Sequence, residues 1–282
     1  MAYEIIQPRT SQTRYGRSLT GRQQAFVYQQ KTAKTVQLTL YDDAGNAKDL
    51  SQYDTTESSE SGSDGDYTAR FLAYEASQRE TVAVDLDVEV YDAANGVVRF
   101  DFKSELNAGI YVGEVQFVDA EDYVLSVDRV WVYCEPRIQG QADRAYMPSI
   151  REVRLYLRDS MPDESFYSDE LEFDLPEICQ AMSQCVEFWS STPPPVANYT
   201  TTTFPFRAQW LEGMSGLVMR GVAEFYRRND VPSDTGGGMN IRDMAKAKEY
   251  DQEGKERWAR FQAFTIEKKM QINLRSCMGQ VG

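Results

Sequence analysis

The feature that most constrains this chain is a change of hydrophobic rhythm near residues 134–149. Before it, apolar residues tend to alternate with polar ones, and turn residues recur every eight to twelve positions. After it, apolar residues recur at helical spacing. Alternation buries one face of a strand and a 3.6-residue period buries one stripe of a helix, so the two halves call for different architectures. The expected fold class is α+β in two modules: an immunoglobulin-like antiparallel β-sandwich over residues 23–137, followed by an α-helical bundle with a long extended loop over 138–282. An extended basic arm, residues 1–22, precedes them.

The β reading rests on about seven runs, among them TVQLTLY (35–41), VAVDLDVEVY (82–91), GVVRFDF (96–102), GIYVGEVQFV (109–118) and YVLSVDRVWVYC (123–134). Val84, Leu86, Val88 and Val90 alternate with Asp85, Asp87 and Glu89, the clearest pattern of a strand with one buried face. DDAGN (42–46), AANG (93–96), NAG (107–109) and DAED (119–122) supply the turn chemistry. The acidic, Ser-rich stretch 51–66 reads as a solvated loop.

In the second half Ser149 with Glu152 forms a capping box, and Asp174 followed by Pro176 opens a second helix. Ile178, Met182, Cys185, Val186 and Trp189 then make one apolar stripe. Three prolines exclude a helix through SSTPPPVANYTTTTFPF (190–206), which leaves an extended loop from which Tyr199, Phe204 and Phe206 project. An arm that pairs with a neighbouring subunit is favoured there over a mere connector. Gly213, Gly216 and Gly221 suggest close helix–helix approach in the next helix (207–229). The last helix, 240–275, takes Trp258, Phe261 and Ile266 as its apolar anchors.

Composition removes several function classes. The chain has no histidine, which excludes Ser-His-Asp and Cys-His chemistry and the usual zinc sets. Its four cysteines stand at no metal-ligand spacing and read as small buried hydrophobes. The net charge of −14 argues against wrapped nucleic acid. That charge is uneven, since Arg9, Arg14, Arg17 and Arg22 stand against Glu4 alone in the first 22 residues. No apolar window is long enough for a membrane span, and the opening MAYEIIQPRT lacks a secretory core, so assembly in a cytoplasm is expected. The triple glycine 236–238 lacks a phosphate-loop context and reads as a hinge between helices. Asp159, Asp163, Glu164, Asp169, Glu170 and Glu172 read as a solvated acidic face. Tyr67, Tyr74, Tyr91, Tyr111, Tyr123 and Tyr133 fit either core edges and protein interfaces or a carbohydrate platform.

The ordered set YDDAGNAKDLSQY, VYDAANGVVRFDF, NAGIYVGEVQFVDAEDYVLSV and VWVYCEP, within residues 30–137, is similar to the immunoglobulin-like amino-terminal domain of tailed-phage baseplate proteins. RLYLRD (154–159), DTGGGMNI (234–241) and the surrounding helical layout resemble the head–tail connector or adaptor proteins of tailed phages. The resemblance implies a non-catalytic virion protein at the head–tail junction, assembled in the host cytoplasm. It implies a homo-oligomeric ring, a dodecamer in that family, stacked on the portal protein and touching other neck or tail proteins. DNA would pass through its channel without sequence-specific binding, with no cofactor, metal or membrane involved. A baseplate role, a carbohydrate-binding module and an enzyme built on the acidic cluster are the rival expectations. Candidate interaction residues are Arg9, Arg14, Arg17, Arg22, Tyr199, Phe204, Phe206 and Trp258.

Overall fold

A computed structural model of the chain describes residues 4–6, 24–30, 32–41, 46–53, 67–103, 106–119, 121, 123–136, 147–159, 172–228 and 240–278. The fold is α+β, and the chain divides into two compact units, Met1–Asp143 and Arg144–Gly282. The first unit carries most of the net charge, with 24 acidic against 13 basic residues, compared with 20 against 17 in the second.

The described strands of the first unit are β1 (Glu4–Ile6), β2 (Gln24–Gln29), β3 (Ala33–Thr39), β4 (Thr68–Glu75), β5 (Gln78–Asp87), β6 (Glu89–Asp92), β7 (Val97–Lys103), β8 (Gly109–Val118) and β9 (Val124–Glu135). They form a four-stranded sheet, β1-β3-β7-β6, and a five-stranded sheet, β2-β9-β8-β4-β5. Side chains from both sheets share one core. Phe71 of β4 stacks on Phe100 of β7 with centroids 4.5 Å apart, and Phe26 and Tyr28 of β2 meet Phe102 of β7 edge-on at 5.5 and 4.5 Å. Gly113 on β8 leaves the room that the Phe71 ring occupies.

Two expectations need correction here. The sheets are mixed rather than antiparallel, because β1 runs parallel to β3 and β2 parallel to β9. The reason is that β2 and β3, although consecutive in the chain, lie in different sheets. β2 therefore cannot form a hairpin with β3 and takes its hydrogen bonds from the last strand, with Phe26 beside Val132. The run 82–91 is likewise not one strand. It breaks at Val88, so that β5 lies in the five-stranded sheet and β6 in the four-stranded one. Its alternation survives the break because the inner faces of both sheets point at the same core, where Val84 is buried and Leu86, Val88 and Val90 pack against it. The AANG turn ends on Gly96 with φ +66°, where a side chain would also strike the Lys48 backbone.

The second unit has four described helices, α1 (Ile150–Leu157), α2 (Leu175–Ser191), α3 (Arg207–Arg228) and α4 (Asn240–Met278). Ser149 caps α1, its hydroxyl accepting from the Glu152 N–H at 3.2 Å. Asp174 stands at the N-cap of α2 without a side-chain cap bond, leaving Pro176 and Glu177 to favour that start. All five residues of the α2 stripe are buried.

The α3–α4 contact is set by glycines. A methyl group on Gly216 would sit 2.7 Å from the Trp258 nitrogen and 2.9 Å from the Gly254 carbonyl, and one on Gly254 would sit 2.9 Å from the Gly216 carbonyl. The two backbones therefore touch. Gly213 is also crowded, by Phe261 and Cys185, whereas Gly221 faces open space and has no part in the approach. Ile266 does not anchor α4 inward, as its spacing suggested: the buried meridian runs through Ala247, Gly254, Phe261, Thr265 and Lys269, and Ile266 is 42% exposed.

Two glycine substitutions separate these roles. Gly216→Ala is expected to destabilise the protein by about 1–3 kcal/mol, because backbone cannot move aside for the methyl group. Gly221→Ala is expected to stabilise it by about 0.5–1 kcal/mol through helix propensity alone. Urea midpoints of the two variants check this, and equal effects would contradict the backbone contact.

Candidate functional site

The sequence-derived interaction residues separate into three groups. Arg9, Arg14, Arg17 and Arg22 lie outside the described residues. So do residues 54–66, the glycines 236–238, and Asp163, Glu164, Asp169 and Glu170. Tyr199, Phe204 and Phe206 are brought together, but inward. Trp258 is half-buried against Phe188 and Phe261, with ring centroids at 5.1 and 5.4 Å.

The loop after α2 is thus a cover over its own unit and not a projecting arm. Trp189 at the end of α2 meets Phe206 at 4.8 Å, Phe204 at 5.6 Å and Tyr199 at 5.8 Å. Phe204 is fully buried and continues to Trp210, while Phe206 continues to Phe264 of α4. The Trp189 indole N–H donates to the Ala197 carbonyl at 2.7 Å, which fixes the loop above the ring. Three aromatic rings carry too much apolar surface to remain in water when a helix core lies within reach. Beneath the loop, the fully buried Lys269 ammonium donates to the Trp189 carbonyl at 2.7 Å and to the Thr192 carbonyl. Both carbonyls stand at the C-terminal end of α2, where a cation is favoured. Burial lowers the Lys269 pKa.

Carboxylates tie the described helices together at two nodes. Glu172, just before α2, accepts from Lys246 at 2.6 Å, Tyr226 at 3.0 Å and Tyr250 at 2.8 Å, joining α3 and α4 to the entry of α2. Burial alone would push the Glu172 carboxyl up, but the Lys246 ammonium and the two phenols outweigh it and hold the carboxyl below its ordinary value. Asp159 is buried as well. It accepts from Arg154 at 2.6 Å and from the Glu172 N–H at 2.8 Å, pinning the two ends of the 160–171 segment together. At these two positions the acidic cluster is an internal brace, not the solvated face its composition suggested.

Glu212 of α3 is the second node. It accepts from Arg260 at 2.6 Å and from the Tyr156 hydroxyl, and Arg257 lies 3.9 Å away. Burial first, and Glu212 second, push the Tyr156 phenol up to about 12. Arg207 grips Glu152 of α1, with its Nε at 2.9 Å. The arrangement ties α1, α3 and α4 together. Cys134, Cys179 and Cys185 are free and buried, which pushes their thiols up and away from the reactive thiolate form. Among the described residues no three His, Cys, Asp or Glu side chains gather to hold a metal, and no helix is long and apolar enough to cross a membrane.

In the first unit Tyr111 and Tyr133 are core residues. Tyr91 and Tyr123 are exposed, Tyr91 on β6 of the four-stranded sheet and Tyr123 just before β9 of the five-stranded one, and Arg99 lies over the Tyr91 ring at 4.6 Å.

Two substitutions test this geometry. Phe204→Ala is expected to cost about 3–5 kcal/mol, read from thermal or urea unfolding. An unchanged stability would restore the projecting loop. Because the fold lowers the Glu172 pKa, its stabilisation is complete above the ordinary glutamate value of about 4.3 and is lost as pH falls through the lowered value. Glu172→Gln should therefore lose about 1–3 kcal/mol at pH 7 and progressively less in acid. A loss independent of pH would contradict the ion-paired carboxylate.

No protein-family model matches the chain, and no curated protein matches it. Among solved structures, the chain is similar to one described as "Structures of Clostridium thermocellum CbhA fibronectin(III)-like modules". That match is 14% identical, covers 40% of this chain and 90% of the other, and has a TM-score of 0.22, too low to carry an argument about fold or function.

Proposed function

We propose that this chain is a structural virion protein of a tailed phage, most specifically a head–tail connector or adaptor that forms a ring on the portal and lines the DNA channel. In this reading the first unit is an immunoglobulin-like sandwich and the second a connector-like helical bundle. The reading starts from the resemblance of residues 30–137 and 153–262 to phage baseplate and connector proteins. The observation that carries it furthest is the use made of polar groups in the second unit. Glu172 and Glu212 are matched by Arg, Lys or Tyr from other parts of the unit, and Asp159 by the nearby Arg154 and the Glu172 backbone N–H, as a scaffold requires. An excess of acid, concentrated in the first unit, suits a wall past which DNA must slide without adhering. A carbohydrate-binding role is less well supported, because the exposed Tyr91 already carries the Arg99 guanidinium over its ring and Tyr123 lies outside the strands. Electron microscopy of the purified protein, alone and mixed with the cognate portal, tests the proposal. The expected result is a closed ring that stacks coaxially on portal particles. A protein that forms no ring and ignores the portal would overturn it.

A further inference from the structure

The outward face of α4 changes character along its length. In its middle turns that face carries Gln252 and Glu256; from residue 259 onward it carries Ala259, Ala263, Ile266, Met270 and Leu274, all exposed. At ~100° per residue these five residues centre about 150° around the helix from the meridian of Gly254, Phe261, Thr265 and Lys269 that packs into the protein's own core. Met270 is 54% and Leu274 61% exposed, and the seam is ~22 Å long at ~1.5 Å per residue. Its spacing of four, three, four and four residues is that of a seam between two helices.

We propose that this face pairs with the same face of a second copy of the chain, antiparallel about a two-fold axis near residues 264–265. The order of side chains along the seam selects this occupant. The small residues come first and the large ones later, so antiparallel pairing sets Ala263 against Ile266 and Ala259 against Met270 of the other copy. Large against small is what lets two helix faces interlock. A parallel pair would instead oppose Ala to Ala, leaving a gap, and Met to Met. Charge agrees with the same alignment. Arg260 and Glu267 lie on one flank, on opposite sides of the axis and offset by only ~3 Å along the pair at ~1.5 Å per residue, so each Arg260 comes within side-chain reach of the Glu267 of the other copy. Arg260 is engaged with Glu212 through its Nε, and its guanidinium has further N–H donors to offer. Glu267 accepts from Gln271 and keeps a second oxygen.

This contact lies beyond the ring of the proposed function. A two-fold pairing closes on itself and does not propagate around a ring.

Sedimentation equilibrium of the full chain across a wide concentration range tests the pairing, with Met270→Glu and Glu267→Lys as variants. The expected result is a reversible doubling of mass, weakened roughly 100-fold by Met270→Glu, which would bury an unpaired carboxylate. Glu267→Lys would weaken it less, with relief at high salt. Both positions are exposed in the single chain, and circular dichroism verifies that the variants fold. Orientation is read by disulfide formation with Cys277 replaced by Ser, the thiols of Cys134, Cys179 and Cys185 being buried. Ala259→Cys combined with Met270→Cys should cross-link two copies, and Met270→Cys alone should not. A monomer at every concentration, a dimer indifferent to Met270→Glu, or cross-linking by Met270→Cys alone would each overturn the pairing. A ring that doubles in mass equally with and without Met270→Glu would overturn it too, while leaving the ring reading in place.

Discussion

The meeting of backbones at Gly216 and Gly254 sets most of the second unit. A helix of 39 residues with charges on several sides could pack in more than one rotation about its axis. With no side chain between α3 and α4 at this point, only one rotation brings the backbones together. That rotation turns Phe261, Thr265 and Lys269 inward. It carries Arg257 and Arg260 to Glu212, and Lys246 and Tyr250 to Glu172. It also leaves the meridian of Ile266 and Met270 with no place in the chain's own core. The contact is weak in itself, since it gains only dispersion between a few atoms, but it decides where every longer side chain must go.

The polar interior has a consistent logic. Removing a carboxylate from water is costly unless each of its oxygens finds a donor, and Glu172, Asp159 and Glu212 all find several. Lys269 is the cationic counterpart, satisfied by carbonyls at the end of α2. Such groups specify which helix end meets which, and they leave little free valence for chemistry. Among its described residues, the second unit carries an exposed apolar seam on α4 with charged rows beside it. The first unit offers an acidic exterior around an aromatic core.

The legibility of these features in the sequence follows their range. Strands and helices were visible because burial repeats over neighbouring positions, and the Ser149 cap was visible because its partner is three residues away. The change of sheet between β2 and β3 and at Val88 was hidden, since a strand that changes sheets keeps its alternation when both sheets face one core. Glu172 and Lys246 are 74 residues apart, so their pairing left no local trace. The loop aromatics were recognised as significant, but their direction depends on Trp189 and Phe264, which no spacing within 190–206 reveals. On α4 the anchors Trp258, Phe261 and Ile266 were read from their apolar character, and Phe261 is buried whereas Ile266 is exposed. Lys269 takes the inward position instead, because its ammonium finds carbonyls at the end of α2, a pairing that no spacing within α4 reveals.

The central claim is that α4 serves two masters, one side belonging to its own unit and the other to a second protein surface. The most direct measurement is a cysteine-accessibility scan along residues 252–274, made at low and at high protein concentration. In dilute protein, labelling should rise and fall with the helical period, fast on the meridian of Ala259 and Met270 and blocked on that of Phe261 and Thr265. At high concentration the meridian of Ala259 and Met270 should become protected, while Gln252 on the same side stays reactive. Labelling with no helical period, or an outward meridian equally reactive at both concentrations, would contradict the division.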